Sequence, residues 1–331
     1  MLKLILNRLL QGILVLLVVS MLTFTLLAAA GGDALTALSS DPLVSEETIQ
    51  SQRRIYALDQ PLPVRYARWL ADMARGRMGQ SLFYNAPVWT IIRPRLINTL
   101  TLAALALFFA WTVALTFGSL AARRAGSWID RACGAVILLA ASTPRIVLAL
   151  VALAITARSS LLAIGGAPAG GDSMFPSFLR LLLPAIVLCI PLVALFLAQT
   201  RDGVRSALAL EFVQVARAKG LPERVVVLRH ALRAALNPLI TIFGYSLGGV
   251  LSGSVIVETV LGWPGLGQLS VTAVRSRDVP LLMGVVMVTA TAVLVGNLVA
   301  DILLRVNDPR LRREVARPLA ASSGQTIAPA A

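Results

Sequence analysis

The stretch Thr99–Ala122 reads TLTLAALALFFAWTVALTFGSLAA and contains no charged side chain. A bilayer core about 30 Å thick needs about 20 apolar residues in a helix to cross it, and this stretch meets that length. Backbone polar groups inside a bilayer must bond to one another, and the run lacks the period-two alternation of a barrel strand. Thr99–Ala122 is therefore predicted to be a membrane-spanning helix.

The same criterion selects five further stretches, which are Leu9–Ala30, Ala132–Ala157, Phe178–Gln199, Pro238–Leu261 and Leu281–Leu304. The whole composition agrees, because 57% of the 331 residues are hydrophobic and only 14% are charged. Soluble domains have about 45–50% apolar and about 25% charged residues. The predicted fold class is an all-α, polytopic membrane protein with six transmembrane helices.

The first stretch also has an alternative interpretation. Lys3 and Arg8 precede an apolar run that ends in Ala28–Ala30, and this order resembles a secretory signal peptide. The run is longer than a typical signal-peptide core and suits a complete span, which favours a retained helix.

The distribution of basic residues predicts the orientation. The outer segment Gly31–Asn98 is also rich in arginine, but loops longer than about 60 residues translocate largely regardless of charge. Both termini are therefore expected in the cytoplasm. The basic residues then assigned to the cytoplasm are Lys3, Arg8, Arg123, Arg124, Arg131, Arg201, Arg205, Arg217, Lys219, Arg224, Arg229, Arg233, Arg305, Arg310, Arg312, Arg313 and Arg317.

These spans divide the chain into four parts. Residues 1–30 form the N-terminus and first helix, and residues 31–98 form an external loop with an amphipathic stretch around Tyr66–Met73. Residues 99–307 form a five-helix core that contains a cytoplasmic loop, 201–237. Residues 308–331 form a cytoplasmic tail whose end, rich in Ala, Ser and Pro, is expected to be disordered.

Several chemistries are excluded or disfavoured by the residues present. The lysines Lys3 and Lys219 are followed by Leu and Gly, so no phosphate-binding G-K-[ST] loop exists and the chain is not itself a P-loop ATPase. His230 is the single histidine, and Cys133 and Cys189 lie in apolar blocks, which disfavours a metal site, a disulfide and a catalytic couple. The net charge of +14 accompanies no basic face interleaved with aromatic residues, so nucleic acid is not an expected partner.

The segment Glu211–Pro238 reads EFVQVARAKGLPERVVVLRHALRAALNP. Phe212, Val215, Ala216 and Lys219 recur at helical spacing, and Gly220 followed by Pro222 is a helix stop. A second helix is predicted to begin near Glu223, whose carboxylate suits a helix N-terminus. Two short helices joined at a glycine turn would project as a rigid knob. Such a knob would either lie on anionic lipid or dock onto a soluble partner.

This segment resembles the coupling loop of permease subunits of ATP-binding-cassette importers, in the dipeptide/oligopeptide/nickel family. The resemblance extends from about Leu4 to Arg313. The motifs that carry it, besides Glu211–Leu221, Arg229–Leu232 and Asn237–Pro238, are Leu58–Pro63, Gly79–Ser81, Glu258–Gly267, Arg277–Pro280 and Asp308–Arg310.

The resemblance implies a type I permease fold with cytoplasmic coupling helices, in the cytoplasmic (inner) membrane of a bacterium. It also implies a second homologous permease, two ATPase subunits that bind ATP and Mg, and an external substrate-binding protein. This chain would perform no catalysis and hold no cofactor, and would form half of a translocation pathway for peptides. Nickel or another small solute is an alternative cargo, and an ion-gradient-driven secondary transporter is the alternative function.

The residues expected to couple to the ATPase are Glu211, Ala216, Arg217, Lys219, Gly220 and Leu221. Gly220 has the alternative role of a helix C-cap.

The translocation pathway is assigned to Pro144, Arg145 and Glu258. Pro144 should bend the third span, and Arg145 lies near its middle, where a charge usually faces the bundle or water. Family members generally have small or apolar residues at this point, so Arg145 is a departure. It would either meet an anionic group of the substrate or pair with Glu258, and the pairing is favoured slightly.

In the fifth span, small residues at four-residue spacing are expected to allow close helix packing, and they are Gly244, Gly248, Gly249 and Gly253.

Overall fold

The computed structural model describes residues 2–29, 60–158 and 174–307. The described chain is helical apart from its turns and one hairpin of strands β1 (Gln80–Ser81) and β2 (Ala86–Pro87). Its helices are α1 (Leu2–Ala29), α2 (Leu62–Ala74), α3 (Val88–Arg123), α4 (Trp128–Ser142), α5 (Arg145–Arg158), α6 (Met174–Leu208), α7 (Glu211–Ala218), α8 (Glu223–Val225), α9 (Leu232–Val260), α10 (Leu266–Arg275) and α11 (Val279–Asn307), with a π-helical segment (Val226–Ala231) between α8 and α9.

The centre of the bundle is formed by α3, α6 and α9, with α4 and α5 packed beside them. Buried alanines such as Ala106, Ala110 and Ala185 allow these helices to approach closely, as small residues do inside membranes. Larger side chains fill the space between them, and Trp111 packs its ring against those of Phe196 and Phe243. The other side of α9 packs against α11, and α1 packs against α11 in turn.

The predicted all-α, polytopic fold is confirmed. In the described residues, five helices are long and apolar enough to cross a membrane, or six if α4 and α5 together form one span. The predicted third span differs, because it is broken rather than only bent, with an angle of 96° between its two halves. Thr143 is extended (ψ 117°), as expected of a residue before proline, and the carbonyl of Pro144 begins a new helix by accepting from Val147 and Leu148.

The second helix predicted after Gly220 is not separate from the fifth span. The α8, π-helical and α9 segments continue without interruption from Glu223 to Val260. No glycine or proline lies between Glu223 and Leu232, so nothing in that stretch stops the helix. The chain therefore passes from α8 into α9 through the π-helical segment, and no loop separates the two helices.

The end of the bundle opposite to α7 carries the hairpin and α2. The amphipathic stretch predicted around Tyr66–Met73 is part of α2, where Tyr66 lies 2.9 Å from the Ser20 hydroxyl and packs its ring edge-on against Phe24. The hairpin is bound to the start of α11 by Asp278. We call this end the hairpin end, and the end that carries α7 the knob end. Residues 30–59 and 308–331, with the predictions for the tail and for Asp308–Arg310, lie outside the described residues.

Candidate functional site

The short helix α7 has one buried and one exposed apolar face. Val213 and Ala216 are buried where α7 contacts α6 and the π-helical segment. Phe212 and Val215 lie beside this buried face and keep 50% and 54% of their surface exposed. We call residues 211–231 the knob and the exposed side chains of Phe212 and Val215 its outer face. An apolar outer face on a short helix outside the bundle is suited to contact with another surface.

Gly220 ends α7 in a left-handed turn. Its φ is +78°, its N–H donates to the carbonyl of Arg217, and the N–H of Leu221 donates to that of Ala216. This pair of bonds is the Schellman motif that commonly closes a helix with glycine. A Cβ at Gly220 would meet no atom within 4 Å, so within this chain the glycine serves as a C-cap and not a point of close approach.

An ion pair holds the turn of the knob closed. The guanidinium of Arg217 donates through Nη2 to Glu223 Oε1 at 2.7 Å and through Nε to Oε2 at 3.1 Å. These bonds raise the pKa of Arg217 above its ordinary value. Because both side chains are about a third exposed, the pair adds little stability, but its two-pronged geometry orients α7 relative to α8.

The other residues predicted to couple divide between the two faces. Glu211, Lys219 and Leu221 are exposed. Ala216 is 6% exposed and belongs to the internal packing of the knob, so its side chain does not reach the outer face. Phe212 and Val215 belong to the predicted helical pattern but not to the predicted coupling residues. Sequence spacing does not separate them from the buried face, because Phe212 lies four residues before Ala216, so only their exposure identifies the outer face.

A buried acidic residue beside the knob was not predicted. Asp130, only 5% exposed, accepts hydrogen bonds from Arg201 Nε at 2.5 Å, Arg205 Nη2 at 3.1 Å and the backbone N–H of Gly126 at 2.9 Å. It therefore ties the start of α4 to the knob end of α6, the helix that leads into α7. The sequence signal was an acidic residue at the start of an apolar helix, after the helix cap Ser127.

Glu258 anchors α10 to α9 and α3 at the hairpin end, and its assignment to the translocation pathway stays a prediction. Its fully buried carboxylate accepts from the Thr99 hydroxyl at 2.8 Å and from the backbone N–H groups of Gly267 and Gln268 at 2.7 and 3.1 Å. A carboxylate at the N-terminus of α10 satisfies the free N–H groups of its first turn. A side chain at Gly265 or Gly267 would overlap this carboxylate, which accounts for two of the glycines of the Glu258–Gly267 motif.

The expected pairing of Arg145 with Glu258 is wrong. Arg145 Nη1 donates instead to the carbonyl of Gly249 at 3.0 Å, and the oxygens of Glu258 are engaged by Thr99 and the first turn of α10. Arg145 stands at the first residue of α5, directly after the break at Pro144, so the guanidinium reaches the middle of α9 and not its end.

The four glycines of the fifth span have different neighbours. A Cβ at Gly244 would lie 2.5 Å from Ala300, and one at Gly248 would lie 3.3 Å from Val293, so both face α11. Gly253 faces Arg145, whose guanidinium occupies the space that a side chain would need. Gly249 has nothing within 4 Å of its Cβ direction and faces open space.

Comparison with known proteins identifies the family. Residues 114–313 match the family model of the binding-protein-dependent transport system inner membrane component, and residues 1–103 match the model of its N-terminal part. An oligopeptide transport system permease protein, AppB, of Bacillus subtilis is 35% identical over 315 residues, covering 93% of this chain and 98% of the relative. A putative peptide permease protein of Brucella suis is 35% identical over 321 residues, covering 94% of this chain and 99% of the relative. A probable peptide ABC transporter permease protein of Sinorhizobium fredii is 32% identical over 309 residues, covering 93% and 98%.

These matches confirm the resemblance drawn from the sequence motifs. The described helices and the matched family together make the protein a multi-pass component of an inner membrane. Transporters of this class work with ATPase and substrate-binding partners. The chain belongs to the family of binding-protein-dependent transport system inner membrane components, the permease subunits of ATP-binding-cassette importers.

Proposed function

We propose that this chain is one of two homologous permease subunits of a peptide importer and forms half of its translocation pathway. The peptide cargo is supported by relatives whose names describe peptide or oligopeptide permeases and which align over nearly the whole chain. The complete importer contains two ATPase subunits, which bind ATP and Mg, and an external binding protein. This subunit itself holds no cofactor and catalyses no reaction.

The observation that carries the coupling role is the outer face of α7. Phe212 and Val215 expose an apolar surface outside the bundle, while Val213 and Ala216 fix the helix against the rest of the knob. A helix that only rested on lipid would need no such backing, whereas a helix that transmits force must not move independently of the bundle. The outer face therefore docks into a groove of an ATPase subunit.

Continuity of the helical chain supports transmission of this force. The segment from Glu223 to Val260 is one uninterrupted helical path, and the ion pair between Arg217 and Glu223 joins α7 to its beginning. A displacement of α7 by the ATPase therefore moves α9, a central helix of the bundle, as a rigid body. Packed interfaces of this kind shift between discrete arrangements, which suits alternation between inward-open and outward-open states.

The coupling role also sets the orientation. ATPase subunits without membrane spans operate in the cytoplasm, so the knob end is cytoplasmic. The first residues of α1 and the last residues of α11 lie at the same end, where Arg8 pairs with Asp301 and Asn307 bonds to Asn237. Both termini are therefore cytoplasmic, and the hairpin end faces the binding protein.

Gentle extraction of the tagged chain from its host, followed by mass spectrometry, tests the assembly. Two P-loop ATPases, or two copies of one, and a second permease are expected to co-purify. The complex in proteoliposomes should take up peptides only when ATP and the binding protein are present. Recovery of the chain alone, with uptake that follows an ion gradient and ignores ATP, would overturn the proposal in favour of a secondary transporter.

The coupling role is tested by placing one added charge at two positions of α7. Phe212→Lys puts an ammonium group on the outer face, whereas Gln214→Lys puts the same charge on the same helix at an exposed position, where the ammonium can still donate to the Leu208 carbonyl as Gln214 does. Phe212→Lys is expected to reduce ATP-driven uptake at least tenfold and to weaken recovery of the ATPase. Gln214→Lys should keep both, and equal effects of the two changes would contradict docking through the outer face.

A further inference from the structure

One face of α9 is rich in hydroxyl groups, and from Thr241 to Thr259 its residues are exposed apart from the partly buried Gly249. Its residues recur at intervals of three or four, so they form a single stripe along the helix. Tyr245 is 83% exposed, and neither its hydroxyl nor that of Ser252 has a hydrogen-bond partner in the described part of the chain. The stripe consists of Thr241, Tyr245, Gly249, Ser252, Ile256 and Thr259.

The stripe is bounded by packed elements on both sides. On one side, Gly244 and Gly248 lie against Ala300 and Val293 of α11. On the other side, the Arg145 guanidinium lies against Gly253 and donates to the carbonyl of Gly249. The open face therefore forms a trough between α11 and the start of α5, with a positive charge at its edge.

At the knob end the trough joins a cavity of about 480 Å³ between α1, α9 and α11. Thr241 and Tyr245 line this cavity together with Asn297 and the ion pair of Arg8 and Asp301, while most of its other lining residues are apolar residues of α1 and α11. The polar groups of α9 thus continue from the middle of this membrane-spanning helix to the cavity. A stripe of hydroxyl groups that opens onto an ion pair suits a passage that admits water, because a surface that faced lipid would present apolar side chains.

Arg145 carries a charge that nothing in the described residues neutralises. Its hydrogen-bond partner there is the neutral Gly249 carbonyl, and it forms no ion pair in the described part of the chain. The absence of a side chain at Gly253 makes room for the guanidinium, and Gly249 leaves the adjoining space open. A cation in a membrane interior is unfavourable unless it meets water or an anion.

We infer that the α9 stripe is a wall of the translocation pathway and that Arg145 binds a carboxylate of the cargo as it passes. The inference rests on the proposed peptide function. Every linear peptide with a free C-terminus carries a carboxylate whatever its side chains, and a guanidinium can bind it with two parallel hydrogen bonds. The hydroxyls of Tyr245 and Ser252 provide neutral contacts that any peptide backbone can use.

The test uses the complete importer in proteoliposomes, with trialanine and trialanine amide as probes. The measured quantity is the ratio of their initial rates of ATP-dependent uptake. All variants work with the same binding protein, so its own preference cancels when their ratios are compared with the wild-type ratio. Arg145→Gln is expected to reduce the preference for the free acid about tenfold, the effect of losing one charge-assisted hydrogen bond.

Two further variants separate the charge from its placement. Arg145→Lys should retain most of the preference because it retains the charge. Gly253→Ala keeps Arg145 but adds a Cβ in the space of the guanidinium, and should lower the preference in the same direction as Arg145→Gln. Arg275→Gln is the matched control, because Arg275 is an exposed arginine at the end of α10, and should leave the ratio unchanged.

An unchanged ratio in Arg145→Gln, with uptake preserved, would overturn the inference. If Arg145→Gln fails to assemble, an unchanged ratio in Gly253→Ala would overturn it equally. Failure of the proposed function would give a different result, because the wild-type importer would then show no ATP-dependent uptake of either peptide.

Discussion

Ser81 donates a 2.6 Å hydrogen bond to the carboxylate of Asp278, although 197 residues separate them in the chain. The same carboxylate accepts from the backbone N–H of Phe83 and, through its other oxygen, from that of Leu281 at the start of α11. Two short motifs that the sequence shows far apart, Gly79–Ser81 and Arg277–Pro280, therefore form one buried latch. The latch binds the hairpin to the final membrane helix.

Removal of the Ser81 hydroxyl should weaken this latch. Ser81→Ala leaves the fully buried Asp278 without one of its donors, which is expected to lower stability by about 1–3 kcal/mol. The measurement is the thermal unfolding midpoint of the purified complex in detergent. Ser276→Ala is the control, because that hydroxyl bonds only to carbonyls of its own helix, and equal shifts in the two variants would contradict the latch.

Gly267 should not tolerate a side chain. A Cβ there would lie 2.5 Å from the Cα of Val255 and 2.8 Å from Glu258 Oε2, so Gly267→Ala must displace either the backbone of α9 or the anchor carboxylate. Overpacking of this kind is expected to destabilise the protein by about 1–3 kcal/mol. Gly134→Ala, where a Cβ meets nothing within 4 Å, serves as the control in the same thermal unfolding experiment and should not destabilise the protein, because alanine is favoured over glycine inside a helix.

Gly220 and Gly76 allow backbone strain to be separated from coupling. Both have positive φ, +78° and +75°, and both have open space around the Cβ direction. Alanine at either position should introduce strain of about 1–2 kcal/mol. Only Gly220→Ala is expected to reduce ATP-driven uptake, because it distorts the knob, whereas Gly76 lies at the end of α2. Equal uptake in the two variants would show that the Gly220 turn is not needed for coupling.

Asp130 is expected to be the most sensitive acidic residue near the knob. Asp130→Asn removes the charge that pairs with Arg201 and Arg205 in a nearly buried site, and should destabilise the protein by about 3 kcal/mol. Asp202→Asn is the matched control. Asp202 is largely exposed, and its carboxylate lies as far as 4.0 Å from the Arg201 guanidinium, so this change should shift the unfolding midpoint little. A similar loss in both variants would mean that Asp130 acts through overall charge and not through its buried contacts.

The features that were predictable from the sequence depend on neighbours along the chain. The apolar stretches predicted membrane helices because about 20 apolar residues suffice to cross a bilayer, whatever the rest of the fold. The α2 helix and the stop at Gly220 followed from local periodicity and from glycine's tolerance of positive φ. Thr99–Ala122 lies within α3 for this reason, although the helix begins earlier, at Val88.

The features that were missed depend on contacts between distant residues. The bend of 96° at Pro144 is set by what the two halves pack against, since proline only prevents a continuous helix. Arg145 and Glu258 are both charged groups within apolar stretches, and their pairing was a reasonable inference from charge alone. It failed because Glu258 has nearer partners in Thr99 and the first turn of α10.

By itself, the sequence determined that this protein is a helical membrane protein, where most of its membrane-spanning stretches lie and which family it resembles, because these depend on local composition and on short motifs. Only the tertiary structure decided which side of α7 is free for a partner, which residues hold Glu258 and Asp278, and where the Arg145 charge points. Those outcomes depend on packing between helices that are far apart in the chain. No local pattern specifies such packing, because each buried polar group takes the partner that the assembled bundle brings within hydrogen-bond distance.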